Sequence, residues 1–185
     1  PEVADFSNKL VSIARIDEAQ KNFTSMCKVM SLLPASFTLD IYGAGLATEI
    51  AALKEKIKNE PRISFKGVTT TPDIVLRKYS LFMMTSHFEG FGQTLIEARS
   101  QGLPIVAFNT FEALSSIVEN GYNGFFIKPY EHNNFSEAIQ TILSKPHIYD
   151  DYSMNSINKS TETQMDLVSQ LWVSIISKNN KYFAE

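Results

Sequence analysis

The sequence predicts an α/β fold in which helices cover both faces of an open parallel β-sheet. Short β-prone segments alternate with segments of helical periodicity for about six units along the chain. The segment at residues 81–84 is apolar at every position, which is typical of a strand that is covered on both faces. Helix start and stop signals separate the units.

The predicted strands share short runs of β-branched, aromatic or other large apolar residues. In chain order they lie at residues 10–14, 37–42, 63–66, 80–85, 104–108 and 125–127. The predicted helices between and after them lie at residues 22–33, 48–59, from 71, 93–102, 112–119 and 135–144. Pro34 and Pro61 end the first two helices, because proline cannot continue a helix. Thr71, Pro72 and Asp73 predict a helix start, with an N-cap residue, a proline and an acid in order.

The chain of 185 residues is long enough for one ordinary domain with a real core. Beyond Pro146, residues 153–164 are mostly polar, and Leu167, Leu171 and Ile175 predict one last amphipathic helix. We therefore divide the chain into a domain at residues 1–146 and a helical tail at residues 147–185. This tail is expected to pack on the domain or on a further domain that precedes Pro1.

Composition excludes several classes of partner. The formal net charge of -3 gives no electrostatic reason to expect nucleic acid or an anionic membrane. Cys27 is the single cysteine, so it cannot form an internal disulfide, and a reducing cytoplasm is the expected location. The sequence has no acidic cluster of the Asp-x-Asp kind, so no metal site is predicted. His132 and His147 are expected at the surface.

The strongest chemical signal follows the fourth predicted strand. Gly90 and Gly92 let the backbone turn tightly and approach a ligand closely. The helix that begins near Gln93 presents free N–H groups and the positive end of its dipole, which suits a phosphate. Glu89 and Glu97 flank this helix start, and carboxylates accept hydrogen bonds from the paired hydroxyls of sugars. From the residues alone, a glycine-containing loop with two surface glutamates stays equally open.

This segment resembles the signature of the retaining glycosyltransferases of family 4, which have the GT-B fold. Their pattern is a glutamate, Gly-Phe-Gly, a second glutamate with seven residues between the two, an alanine, and a later Gly-x-Pro. The chain matches this pattern in order, with Glu89, Gly90-Phe91-Gly92, Glu97, Ala98 and Gly102-Leu103-Pro104. The resemblance extends over about residues 10–143 and implies a Rossmann-like C-terminal domain of a GT-B enzyme.

The resemblance also implies roles for individual residues. Arg15 and Lys21 match basic residues that contact the donor diphosphate, and Glu89 matches the glutamate that approaches the donor sugar. These three form the predicted catalytic group. The predicted donor-binding residues are those of the Gly-x-Gly turn, the phosphate-binding helix start and the ribose-binding glutamate: Gly43, Gly45, Gly90, Phe91, Gly92, Gln93, Thr94, Leu95 and Glu97.

The activity implied by the resemblance is transfer of a hexose from a nucleotide-diphosphate sugar to a glycan, a lipid or a cell-wall polymer. A UDP-sugar is the expected donor, with no cofactor and no metal. Enzymes of this fold place the active site between two domains, so an N-terminal acceptor domain is expected before Pro1, and this chain alone is expected to be inactive. The whole protein is expected in the cytoplasm or at the inner face of the membrane.

The sequence departs from the family pattern in three places. Ala14 stands where glycine is usual, the separation of Arg15 and Lys21 is one residue longer than in the commonest pattern, and residues 109–112 replace a stretch that is often rich in glycine. The last departure leaves the identity of the donor sugar open. A non-catalytic module that binds a nucleotide sugar stays open as an alternative to the enzyme. A dehydrogenase is disfavoured because Thr48 occupies the place of the third glycine.

Overall fold

The computed structural model of the chain describes residues 6–163 and 165–179. Six parallel strands form one sheet in the order β3-β2-β1-β4-β5-β6. The strands are β1 (Lys9–Ile13), β2 (Thr38–Tyr42), β3 (Ile63–Gly67), β4 (Leu81–Met84), β5 (Ile105–Phe108) and β6 (Gly124–Ile127). The predicted open parallel sheet is confirmed, and its strand order is that of a Rossmann-like fold.

Nine helices lie in the described part of the chain. They are α1 (Glu18–Lys21), α2 (Phe23–Leu32), α3 (Ala47–Ile57), α4 (Pro72–Leu76), α5 (Gln93–Ser100), α6 (Leu114–Ile117), α7 (His132–Ile142), α8 (Pro146–Ser160) and α9 (Met165–Asn179). A 3-10 turn at Thr161–Thr163 joins the last two. Every residue of β4 and of β5 is buried, because helices cover both faces of the sheet.

The start of α2 differs from the prediction in a way that matters for the site. Asn22 adopts a left-handed conformation (φ 54°) and separates the short helix α1 from α2. Its side chain caps α2 by accepting a hydrogen bond from the Ser25 amide at 3.1 Å. Phe23, Met26 and Met30 on α2 are buried, as their spacing predicted. The unpredicted helix α1 therefore ends at Lys21, directly beside the loop that follows β4.

The helix α8 was not predicted, because its contact face mixes buried serines with Tyr149, Tyr152 and Ile157 and lacks a continuous apolar stripe. Ser153 and Ser156 are buried, and their hydroxyls donate to the carbonyls of Gly102 (2.7 Å) and Asn123 (3.4 Å). Tyr149 is buried beside them. The helix thereby packs against α5.

The predicted last amphipathic helix is present as α9. Its apolar residues Leu171, Trp172 and Ile175 are exposed. None of the helices within the described ranges combines the length and the apolar character of a membrane span.

The strand order creates a crevice between β1 and β4. The chain leaves β1 toward β2 on one side of the sheet, and it leaves β4 toward β5 on the other side. Ligands of such sheets bind at the carboxyl ends of the strands where this reversal occurs. The loops that follow Ile13 and Met84 meet there, which places residues 14–22 and 85–92 at one edge.

Candidate functional site

A cavity of about 890 Å³ lies at the carboxyl ends of the first three strands, within the size range of small-molecule sites. The loops after β1, β2 and β3, the first turns of α3 and the first turn of α5 line it. The lining residues are Ile13, Ala14, Arg15, Ile16, Asp17, Gly43, Ala44, Gly45, Leu46, Glu49, Val68, Thr69 and Thr94.

Main chain packs directly against main chain where the loops after β1 and β2 meet. The Ala14 amide donates to the Tyr42 carbonyl at 3.0 Å, and the Ile16 amide donates to the Ala44 carbonyl at 2.7 Å. A Cβ atom on Gly43 would lie 1.7 Å from the Ala14 carbonyl oxygen, so only glycine fits there. The Gly-x-Gly turn therefore brings the two loops together beneath the cavity.

The N-terminus of α5 points free backbone amides toward the cavity edge. Gly92 is the N-cap in a left-handed conformation (φ 78°, ψ 40°), and no side chain caps the helix. The Leu95 amide donates to the Gly92 carbonyl at 2.9 Å, so the amides of Gln93 and Thr94 precede the first intrahelical bond. Thr94 lines the cavity, whereas Leu95 is fully buried in the core. The amides of Gln93 and Thr94, with the helix dipole, favour an anion.

Arg15 supplies a cation to the same cavity. Its side chain is 65% exposed and is the only arginine or lysine side chain among the described lining residues. The Arg15 guanidinium donates to Gln20 Oε1 through Nη2 at 2.6 Å, and the same nitrogen lies 3.4 Å from Asp17 Oδ2. The described lining thus places the positive charge of Arg15 and the start of α5 at one cavity, together with the carboxylates of Asp17 and Glu49.

Lys21 and Glu89 form an ion pair beside the cavity. Lys21 Nζ lies 2.6 Å from Glu89 Oε1, and the two side chains are only 12% and 10% exposed. The Ser86 hydroxyl donates to the same carboxylate oxygen at 2.6 Å. The sequence predicted neither this pairing nor the part of Ser86 in it. Lys21 and Glu89 are therefore oriented toward each other in the crevice between β1 and β4, outside the cavity lining.

The other predicted site residues lie around this crevice. Gly90, Phe91 and Gln93 are exposed in the loop after β4 and at the start of α5. Glu97 is partly buried on α5, and its carboxylate has no hydrogen-bond or ion-pair partner in the described part of the chain. An unpaired carboxylate one turn into the helix is available to a ligand hydroxyl.

Nine of the described lining residues were not among the predicted site residues. Four of them are direct chain neighbours of predicted ones or of that group: Ile13, Ala14, Ile16 and Ala44. The other five are Asp17, Leu46, Glu49, Val68 and Thr69. No motif marks them. They could have been found only from their position, because each lies in a segment that soon follows the carboxyl end of a predicted strand.

The three histidines lie at the surface or are partly exposed. His132 is partly buried, and its Nε2 lies 3.0 Å from the Ser25 hydroxyl. Burial, and secondarily the charge of Lys28, lowers the pKa of His132. His147 is exposed, and His87 is an exposed residue whose Nδ1 lies 3.1 Å from the Tyr130 hydroxyl.

Two other kinds of chemistry find no support in the described residues. Burial raises the pKa of the Cys27 thiol to about 11, which keeps it protonated and unreactive at neutral pH. Within residues 6–163 and 165–179, no three histidine, cysteine, aspartate or glutamate side chains cluster as metal ligands would.

Comparison with known proteins identifies the family of this chain. Residues 3–159 match the family model described as glycosyl transferases group 1. The chain belongs to this family. The matched residues include all six strands of the sheet.

Among curated relatives in this family, the chain is 31% identical over 151 residues to the poly(glycerol-phosphate) alpha-glucosyltransferase of Bacillus subtilis. That alignment covers 78% of this chain and 22% of the relative. It is 33% identical over 105 residues to the poly(ribitol-phosphate) alpha-N-acetylglucosaminyltransferase of Staphylococcus aureus, with 56% of this chain and 21% of the relative covered. The chain thus spans about a fifth of the length of these two relatives.

Solved structures that hold UDP share the fold. A TarM variant from S. aureus, in complex with UDP, fondaparinux and alpha-GlcNAc-glycerol, superposes with a TM-score of 0.83 at 24% identity, covering 94% of this chain and 36% of TarM. HepE from Anabaena, in complex with UDP and glucose, superposes with a TM-score of 0.81 at 22% identity, covering 94% of this chain and 49% of HepE.

Proposed function

We propose that this chain is the donor-binding part of a retaining glycosyltransferase that transfers a hexose from a UDP-sugar to a glycan, a lipid or a cell-wall polymer. One observation carries the proposal: a single cavity at the strand ends is bordered by Arg15, by the glycine turn at Gly43 and Gly45, and by the uncapped N-terminus of α5. A group with two adjacent negative charges and a sugar-like body fits that combination.

The diphosphate binds between Arg15 and the amides of Gln93 and Thr94. Arginine and backbone amides both donate to phosphate oxygens, and hydrogen bonds of this charge-assisted kind are the stronger ones. Gly43 and Gly45 line the base of the cavity, where the absence of a side chain lets the loops after β1 and β2 meet. The nucleoside side of the donor then lies over α5, where the unpartnered carboxylate of Glu97 accepts from the ribose hydroxyls.

The donor sugar lies on the side of Glu89 and Lys21. As the glycosidic bond breaks, negative charge grows on the diphosphate. Arg15, Lys21 and the dipole of α5 stabilise that charge, which lowers the barrier without a divalent metal. Glu89, held by Lys21 and Ser86 at a fixed position, accepts from a hydroxyl of the sugar and orients its reacting carbon.

The relatives support the class of donor and acceptor. The solved structures of TarM and HepE hold UDP, and one HepE structure holds UDP-glucose. The two curated relatives are named for transfer of glucose or N-acetylglucosamine to polymers of glycerol phosphate or ribitol phosphate. Because the chain spans a fifth to a half of these proteins, we infer that a separate acceptor domain completes the site.

Titration calorimetry with UDP, GDP and ADP tests the binding half of the proposal. We expect the chain to bind UDP most tightly, and Arg15→Ala to weaken this binding by about 1.5–3 kcal/mol, the range for a hydrogen bond to a charged group. Arg77→Ala is the matched control, because Arg77 is an exposed arginine that bonds Gln101 away from the cavity. Equal UDP affinity in the Arg15 variant and the control would remove Arg15 from the site.

Two further measurements separate the enzyme from the non-catalytic module. UDP affinity is expected to be the same with and without EDTA, and a loss on chelation would require a metal. A labelled-donor assay is expected to give no transfer by this chain alone, because orientation of the acceptor contributes up to about 7–11 kcal/mol to such reactions. If the whole protein, with its acceptor domain, binds the donor but transfers no sugar, the non-catalytic binding module is favoured.

A further inference from the structure

The segment that carries Lys21 is tied to the loop that carries Glu89. The Thr85 hydroxyl donates to the Asn22 carbonyl at 3.0 Å, and the His87 amide donates to the Gln20 carbonyl at 2.8 Å. Lys21 and Glu89 add their ion pair. These contacts join the loops after β1 and β4 across the crevice where the strand order reverses.

Gln20 is the one residue of these loops whose side chain reaches both the cavity cation and the Glu89 loop in the described structure. Its Oε1 accepts from Arg15 Nη2 at 2.6 Å. Its Nε2 donates to the Phe88 carbonyl, the residue before Glu89, at 3.4 Å. The side-chain amide of Gln20 therefore accepts a hydrogen bond from Arg15 and donates one to the neighbouring loop.

We propose that Gln20 is a positioning residue for donor binding: its side-chain amide holds the Arg15 guanidinium over the cavity and anchors it to the loop of Glu89. This inference rests on the proposed function, in which Arg15 binds the donor diphosphate. Gln20 itself does not line the cavity, so it acts through Arg15.

The physical reason is the conformational entropy of the Arg15 side chain. A long side chain that is 65% exposed samples many rotamers, and a diphosphate must immobilise it at a cost in entropy. The short bond to Gln20 removes part of that cost before the ligand arrives. Asp17, at 3.4 Å, is a second and weaker partner, so loss of Gln20 releases Arg15 only in part. Immobilisation costs of this kind correspond to about a 3- to 10-fold change in affinity.

A double-mutant cycle on UDP affinity tests the inference. The chains compared are the unmutated chain, Gln20→Ala, Arg15→Ala and the double variant, with Gln20→Met as a second variant that keeps the length of the side chain. The matched control is Gln101→Ala, because Gln101 Oε1 accepts from Arg77 Nε at 2.8 Å in the same kind of bond at the far end of α5. Melting temperatures are measured for all chains.

We expect Gln20→Ala and Gln20→Met to weaken UDP binding about 3- to 10-fold when Arg15 is present and to change nothing when Arg15 is absent. Gln101→Ala is expected to bind as the unmutated chain does. The backbone contacts of Gln20 persist in every variant, so the melting temperature is expected to change little.

Three outcomes overturn the inference. If Arg15→Ala weakens UDP binding but both Gln20 variants bind as the unmutated chain does, the proposed function stands and the role of Gln20 is refuted. If the Gln20 substitutions cost as much affinity in the Arg15→Ala background, Gln20 acts independently of Arg15. If the unmutated chain binds no nucleoside diphosphate, the proposed function fails and the inference fails with it.

Discussion

Replacing Glu89 with alanine is expected to destabilise the chain while leaving UDP affinity almost unchanged. The substitution removes the partner of Lys21, whose side chain is 12% exposed, and the acceptor of the Ser86 hydroxyl. An ammonium group left unpaired in such surroundings keeps its desolvation cost without the compensating attraction. Since Glu89 does not line the cavity, the contacts of the diphosphate with Arg15 and the start of α5 are untouched.

The magnitude follows from the burial of the pair. Breaking a fully buried ion pair costs about 3–5 kcal/mol, and the residual exposure here lowers this to about 2–4 kcal/mol. For a chain of this length each kcal/mol lowers the melting temperature by about 2–4 °C, so a fall of about 4–16 °C is expected. Adding Lys21→Met is expected to restore part of the loss, because the double variant no longer buries a lone charge.

Thermal unfolding and UDP calorimetry on the same samples check both halves. The control is Glu55→Ala, which breaks the Lys58–Glu55 pair, whose side chains are 63% and 75% exposed. That change is expected to cost less than about 0.5 kcal/mol. If the Glu89→Ala chain has the same melting temperature as the Glu55→Ala control, the stabilising role of the Lys21–Glu89 ion pair is refuted. A loss of UDP affinity as large as that of Arg15→Ala would refute the separation of Glu89 from the diphosphate.

Three other predictions concern Glu97, Arg99 and His132. Glu97→Ala is expected to weaken UDP binding by about 1.5–3 kcal/mol through lost ribose contacts, and unchanged affinity in calorimetry would refute this role. Arg99→Met is expected to lower the free energy of unfolding by about 2–4 kcal/mol, measured in urea titrations. The reason is that the buried Arg99 guanidinium donates to two carbonyls of α6 and to the Thr163 hydroxyl. A loss below about 1 kcal/mol would contradict this prediction. The pKa of His132 is lowered in the folded chain, so the unfolded chain binds the proton more tightly and stability falls as the pH drops below about 6.5. His132→Gln is expected to flatten this part of the stability–pH profile, and an unchanged slope would exclude His132 as its source.

The fold could be predicted where apolar periodicity decides the structure. The helix α2 is marked by Phe23, Met26 and Met30, because burial of one helix face contributes most to its stability. Burial likewise marks residues 81–84 as a strand covered on both faces. The helix α8 could not be predicted in this way. Its contact face mixes Tyr149 and Ile157 with two serines. These are Ser153 and Ser156, whose hydroxyls bond to carbonyls that are distant in sequence. Serine carries no periodic signal of its own.

The candidate site divides along a similar line. The turn at Gly92 was predictable because a left-handed backbone conformation favours glycine, and a local preference of this kind is visible in a local sequence. The pairing of Lys21 with Glu89 was not, since it depends on the neighbouring positions of β1 and β4 in the sheet, which are 68 residues apart at the contact. The cavity residues Leu46 and Val68 carry no motif and acquire their role from topology alone.

The contact between the loops after β1 and β2 sets a limit on how this site can vary. Its base is peptide backbone, where a Cβ on Gly43 or Gly45 would lie 1.7 or 2.4 Å from a carbonyl oxygen of the facing loop. Changes of side chain therefore cannot reshape the base without displacing two strands. The rim is different, because Leu46 and Val68 are exposed and free to be exchanged. Selection or engineering for a new ligand can then act on the side chains of the rim. The backbone at the base of the cavity stays the same for every ligand, because the fold determines it.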